Sequence, residues 1–308
     1  MEITTEYTQS CLVNPDIPQT MPGTNFTTIP IELIHMIFEY FTELEDFVKL
    51  SKVCRLFYYI VKNYKWSINC LNINFIPSNF QYVLSNFKHI NHVYFNNLNE
   101  NSLLYALEFV KTAKLVIDGT KFSSSSVTLS IFNILGKAKH VTFSNTADSI
   151  IDPNNNYYNL LKECEAITFE NVLVFIDTIN GLNNLENLYF LDFKDCRFDH
   201  PNALYNLYTE NLGYFSINTK INHELLEVLL FHNPSIEYID LLYPDYMPRI
   251  LETLSSYERL LKLARMVLSD SWKYEELSIS ERGAFNVLGD KFKFCRIVDN
   301  SDDVEMID

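Results

Sequence analysis

Pairs of apolar residues, each pair split by a single residue, recur along most of this chain. They are Leu71/Ile73, Val93/Phe95, Leu115/Ile117, Val141/Phe143, Ile167/Phe169, Leu191/Phe193, Phe215/Ile217 and Ile239/Leu241, with a degraded ninth at Ala264/Met266. Successive pairs lie 22 to 26 residues apart. An apolar–x–apolar step puts both side chains on one face of a strand. Between the pairs run segments of helical period: Leu103, Leu104, Leu107 and Val110 share a face, as do Leu225, Leu226, Leu229 and Leu230. A short strand plus an apolar helix, repeated at near-constant spacing, predicts a stacked array in which each unit buries its apolar face against the next. An α/β domain of other connectivity would carry the same pairs.

The N-terminal part follows a different pattern. From Ile29 to Phe41, 9 of 13 residues are apolar, more than one stripe of a surface helix holds. Pro30 suits a first helical position, where its missing N–H costs nothing. Glu32 falls in the first turn, where the helix dipole favours a carboxylate. Thr42 and Glu45 form a T-x-x-E pattern, which predicts a capping box opening a second helix. A third apolar helix runs through Cys54, Leu56, Phe57, Ile60 and Val61. A segment below about 40 residues rarely supplies its own core. The surplus apolar surface therefore needs the following domain, another protein, or both. Ordinary core helices of one globular domain would read the same way.

The stretch Ile29 to Trp66 resembles an F-box, the adaptor-binding module of cullin-type ubiquitin ligases. Ile29-Pro30 stands where the family has Leu-Pro. Glu32-Leu33-Ile34, Ile37-Phe38, the Asp46-Phe47 pair, Leu50 and Val53-Cys54-Arg55-Leu56-Phe57 follow at family spacing, and Trp66 closes the motif. The resemblance implies that Ile29, Pro30, Leu33, Ile34, Ile37, Phe38, Leu50, Val53, Cys54 and Phe57 bind a Skp-type adaptor, with Cys54 used for packing. Through that adaptor the family reaches a cullin scaffold, a RING subunit and a charged ubiquitin-conjugating enzyme, and it does no chemistry itself. The later pairs resemble the leucine-rich-repeat template L-x-x-L-x-L-x-x-N/C-x-L, most cleanly at Leu188, Leu191, Phe193, Cys196 and Phe198. Elsewhere the Asn/Cys position reads Ile76, Leu98, Thr120, Thr146, Val172, Lys220 and Pro244. Most of these cannot form the buried hydrogen-bonding ladder that position supplies in the family, so an irregular solenoid is expected.

The expected fold is therefore α/β. A flexible arm spans 1–27 and a three-helix F-box spans 28–66. An irregular leucine-rich-repeat solenoid, a curved parallel sheet with outer helices, spans 67–298, and an acidic tail spans 299–308. Ser280 to Asp290 is read as a final helix capping the array.

Composition narrows the function. The formal net charge is −15, and no basic stripe tracks a phosphate backbone, which argues against nucleic-acid partners and anionic membrane surfaces. The opening MEITTEYTQS has no apolar core of a secretory signal, and no apolar run is long enough to span a bilayer. Six dispersed cysteines without a C-x-x-C pair read as reduced thiols, so cytoplasm or nucleus is expected. Seven glycines form neither G-x-G-x-x-G nor G-x-x-x-x-G-K, and no G-x-S-x-G occurs. His89 and His92 have no carboxylate or cysteine at ligand spacing. No cofactor, metal or catalytic residue is expected.

Strand alternation places the residues flanking each pair on the concave side of the array. One row reads Cys70, His92, Lys114, His140, Ala166, Phe190, Tyr214, Tyr238. The row between the pair members reads Asn72, Tyr94, Val116, Thr142, Thr168, Asp192, Ser216, Asp240. Phe190, Tyr214 and Tyr238 are thus expected side by side, with Asp192 and Asp240 beside them, as a patch for a protein substrate of basic and apolar character. A slip of one residue would turn the same aromatics into core. The functional expectation is a substrate receptor of a cullin-type ligase. A non-degradative scaffold, or a decoy that merely occupies the adaptor, fits the same residues.

Overall fold

The structure is a computed structural model. It describes residues 29–112, 114–123, 126–146, 157–219, 221–241, 247–256, 262–267, 279, 282 and 297–298. The expected arm, the expected acidic tail and most of the expected capping helix lie outside the described residues.

Three helices come first: α1 (Ile31–Glu39), α2 (Leu44–Val53) and α3 (Arg55–Asn63). Pro30 caps α1 rather than opening it, its carbonyl accepting from the N–H groups of Leu33 and Ile34. The capping box expected from Thr42 and Glu45 does not form. The cap of α2 is Glu43, without a side-chain cap bond. Asn72, from the first strand, ties down this corner: its Nδ2 donates to Glu43 Oε1 at 2.6 Å and its N–H to the Thr42 carbonyl at 2.7 Å. Helix α3 is capped by Cys54, whose Sγ accepts from Phe57 N at 3.5 Å.

The strands are β1 (Trp66–Ile73), β2 (Phe87–Asn96), β3 (Lys114–Asp118), β4 (His140–Ser144), β5 (Ala166–Glu170), β6 (Leu173–Val174), β7 (Phe190–Lys194), β8 (Arg197–Phe198), β9 (Tyr214–Ile217), β10 (Tyr238–Leu241), β11 (Lys262–Val267) and β12 (Ile297–Val298). Among the described residues they form a 10-stranded sheet in the order β1-β2-β3-β4-β5-β7-β9-β10-β11-β12, with β6 and β8 pairing separately. Every pairing is parallel. The eight apolar pairs stand opposite one another as their spacing predicts, and all their side chains are buried. Phe143, Phe169 and Phe193 stack through the core, with centroids 5.7 and 5.4 Å apart. The ninth pair is corrected by one residue. Leu241 meets Met266, but a bulge makes Leu263, not Ala264, the partner of Ile239.

Helices α4 (Phe80–Leu84), α5 (Glu100–Phe109), α6 (Ser126–Leu135), α7 (Ile176–Leu182), α8 (His223–His232) and α9 (Met247–Ser256) connect the strands, with 3₁₀ turns at Tyr157–Leu160 and Ala203–Asn206. Their buried residues, such as Leu103, Leu107, Leu225 and Leu229, join the same core as the strand pairs.

The expected irregularity is small: from β2 to β10 the register is unbroken. The order comes from a position the repeat template did not single out. Asn97, Gly119, Asn145, Asn171 and Asp195 all have left-handed backbone, φ 47 to 65°, a conformation Gly, Asn and Asp tolerate. Each of the first four donates its N–H across to the next repeat, Asn97 to Asp118, Gly119 to Ser144, Asn145 to Glu170 and Asn171 to Lys194. Side chains extend the ladder, Asn171 Nδ2 to Asn145 Oδ1 at 2.6 Å and Asn145 Nδ2 to Asp118 Oδ1 at 2.7 Å. At Gly119 an added Cβ would meet the Asn97 side chain, which would have to move aside. The template position itself contributes little. The hydroxyls of Thr120 and Thr146 are buried without a hydrogen-bond partner, while Cys196 Sγ reaches the Phe169 carbonyl at 3.3 Å.

The helical module and the array meet without a linker. Trp66, the last residue of the motif, is the first residue of β1 and is fully buried. Its ring lies 5.6 Å from Phe38, 5.6 Å from Phe47 and 4.5 Å from Tyr64. One core cluster runs from Ile34 to Leu254.

Candidate functional site

Helix α1 is apolar on two sides. Ile34 and Phe38, four apart, are buried, Phe38 against Phe57 of α3 and Trp66. On the opposite side Leu33, Met36, Ile37 and Tyr40 are 48, 55, 49 and 84% exposed, at the i, i+3, i+4, i+7 spacing of a second stripe. Val53, at 63%, extends the exposed apolar surface at the end of α2. A stripe of this kind marks an interaction surface more than a scattered exposed leucine does.

The expected adaptor residues divide accordingly. Pro30, Leu33, Ile37, Val53 and Cys54 are exposed, and Ile29 and Leu50 are partly buried. Ile34, Phe38 and Phe57 lie inside the chain's own core, Phe38 against Phe57 at 5.2 Å and against Trp66 at 5.6 Å. Met36 and Tyr40 complete the outward stripe and were not among the expected residues. The signal for them was the i, i+3, i+4, i+7 relation to Leu33, hidden because nearly every position of that run is apolar.

The sheet face away from the helices carries the residues expected to form the second site. Phe190, Tyr214 and Tyr238 are neighbours in register and half-buried, with rings stacked at 4.6 and 6.1 Å. They belong to this face and not to the core. In the next row Asp192, Ser216 and Asp240 stand in register. Both carboxylates are more deeply set than expected, 4 and 6% exposed. Asp192 Oδ2 lies 3.5 Å from Lys194 Nζ, while its Oδ1 is buried without a hydrogen-bond partner. Tyr214 donates its hydroxyl to Asp240 Oδ2 at 3.5 Å.

At the other end of the same face His92, Lys114 and His140 form one row across β2, β3 and β4. All three are half-buried. Burial, and then the Lys114 charge, holds both imidazoles below their ordinary 6.5. Glu165 opposes this at His140 but is tied to Lys139 at 2.7 Å.

Burial pushes Cys164 up to about 12 and Cys196 up to about 11, away from the depressed range of reactive thiolates. No group of three or more potential metal ligands occurs among the described residues. No helix among them is long and apolar enough to cross a membrane.

A three-helix unit with an outward apolar stripe, sealed through a shared tryptophan to a parallel strand–helix array, defines a docking module joined to a leucine-rich-repeat-like solenoid. Comparison with protein families agrees for the first part: residues 26–71 match the F-box-like family model, so the chain carries an F-box-like domain that runs on into β1. Among solved structures, TLR13 in its complex with ssRNA13 is similar at 16% identity over 66% of this chain and 29% of that one, with a TM-score of 0.44. An internalin, InlF of Listeria monocytogenes, is similar at 14% identity over 71% of this chain and 59% of that one, with a TM-score of 0.38. The chain thus spans less than two thirds of either. A search of curated protein sequences gives no match.

Proposed function

We propose that this protein is a substrate-recognition subunit of a Skp/cullin/F-box ubiquitin ligase, itself non-catalytic and working in the cytoplasm or nucleus. The observation that carries the reading is the outward stripe of α1, Leu33, Met36, Ile37 and Tyr40, within the F-box-like domain. Burying each such side chain is worth roughly 1.5–3 kcal/mol, enough over several residues to outweigh part of the association cost. In this reading a Skp-type adaptor covers the stripe and links the chain to cullin and RING subunits. The solenoid holds a protein substrate at the Phe190–Tyr214–Tyr238 patch, and tethering makes lysine attack on the ubiquitin thioester effectively intramolecular.

The test is co-expression with a Skp-type adaptor, beside a Leu33→Asp/Ile37→Asp variant. The wild-type chain is expected to co-purify with the adaptor, and the variant to lose it while keeping its circular dichroism spectrum and melting temperature. A folded wild-type chain that ignores the adaptor overturns the proposal. A chain that binds adaptor yet never assembles with cullin would instead be a non-degradative scaffold or decoy.

A further inference from the structure

We propose that His92, Lys114 and His140 form a pH-sensitive site for a carboxylate-rich stretch of a protein segment lying across the sheet. The inference rests on the substrate-receptor reading for the class of partner, and on the following geometry for the site.

The three residues occupy one row on consecutive strands, His92 opposite Lys114 and Lys114 opposite His140. Neighbouring strands lie about 4.8 Å apart, so three groups able to carry positive charge line up within about 10 Å. The chain has 24 basic and 39 acidic residues, yet Lys114 has no ion-pair partner among the described residues: the pairs are Lys49–Glu45, Lys139–Glu165 and Lys194–Asp192. The strand neighbours of the row carry no charge, and Glu43, which acts on Cys70, accepts from Asn72 Nδ2 at 2.6 Å. On β1 the neighbour of His92 is Cys70, and on β5 the neighbour of His140 is Ala166. Glu165, which acts on His140, is engaged by Lys139. Asp118, farther along β3, accepts from Asn145 Nδ2 at 2.7 Å. The adjoining row supplies the hydroxyls of Tyr94 and Thr142. Uncompensated, partly desolvated positive charge in an otherwise acidic protein is a recognition element for an anion.

The linear arrangement selects among anions. A row of about 10 Å suits two carboxylates on alternate residues of an extended segment, about 6.6 Å apart, better than it surrounds one compact ion. The partner's chemistry also follows from the opposite end of the face. From β3 to β9 is four strand steps, about 19 Å, the reach of about six extended residues. A segment with acids at one end and basic and apolar residues at the other would meet Lys114 and the Asp192–Asp240 patch together.

Protonation strengthens the site. Burial, and then the Lys114 charge, holds both imidazoles below their ordinary value. As pH falls through their folded values each gains a charge facing the ligand, and a bound carboxylate in turn stabilises that charge.

The experiment is fluorescence anisotropy of labelled hexaglutamate with the full chain. Affinity is expected to rise about tenfold from about pH 7.5 to about pH 5.5. Lys114→Glu should abolish binding throughout. His92→Gln/His140→Gln should lose the rise, which separates the site from the general fall in negative charge on acidification. Circular dichroism confirms that each variant is folded. Affinity that is unchanged by Lys114→Glu, or that rises equally in the double histidine variant, overturns the inference. So does displacement by equimolar inorganic phosphate, which would make this a phosphate site. Adaptor binding through Leu33 and Ile37 is scored separately. A chain that binds adaptor but not hexaglutamate loses the inference and keeps the receptor reading. A chain with the reverse behaviour keeps the site and loses the receptor reading.

Discussion

At Trp66 one side chain belongs to two modules. Its ring packs on Phe38 and Phe47 from the helices, its backbone opens β1, and its Nε1 donates to the Val61 carbonyl at 3.5 Å. Truncation would leave a cavity at this joint. Trp66→Ala is expected to cost about 3–5 kcal/mol in urea unfolding, as a single transition in both proteins. A first transition confined to the helices would show that the two modules have separate cores. The sequence showed that Trp66 closes the F-box-like motif. That it also starts the sheet was not legible, because its partners Phe38 and Phe47 are distant in sequence and reach it only through the fold.

At the scale of elements, α1 shows how far periodicity reaches. Its run of apolar residues requires burial on more than one side, but a helix apolar nearly all round does not say which side meets its own chain. The fold decides this, since Ile34 and Phe38 are the positions buried in the core, Phe38 against Trp66 and Phe57. Ile34→Ala should therefore cost about 2–5 kcal/mol in chemical denaturation. Leu33→Ala, one residue away, should stay within about 0.5 kcal/mol. Equal losses at both positions would mean that the outward stripe is covered by the chain itself. The strands were more legible. A one-residue slip would expose every paired side chain, so the spacing of the pairs alone specified the alignment of β1 to β10. At β11 the bulge breaks that rule, and the expected ninth pair is off by one residue.

Taken as a whole, the molecule should respond to pH through the histidine row. The unfolded chain binds protons on His92 and His140 near their ordinary value, whereas the folded chain holds both below it. Between these values the unfolded state carries more protons, so stability is fully present above about pH 6.5 and declines as pH falls through the folded values. Glu165, held below its usual carboxylate value by Lys139, adds a further decline at lower pH still. The urea midpoint should drop between about pH 7 and about pH 5.5, and His92→Gln/His140→Gln should flatten that part of the curve. A wild-type midpoint that holds steady across this window would contradict the assignment.

The sequence by itself determined the positions and register of the eight paired strands, the row that brings Phe190, Tyr214 and Tyr238 together, and the resemblance of the helical start. All of these follow from spacing along the chain, because burial of one face constrains residues two, four or about two dozen positions apart in a repeating way. Only the tertiary structure decided that Ile34, Phe38 and Phe57 turn inward while Met36 and Tyr40 turn out. It alone moved the cap of α2 from Thr42 to Glu43 and tied that corner to Asn72, carried the repeat ladder through Asn97, Gly119, Asn145 and Asn171, and sank Asp192 and Asp240 below the aromatic row. Each of these outcomes depends on a partner from another element, and a local pattern cannot rank a nearby hydrogen bond against one that folding delivers from elsewhere.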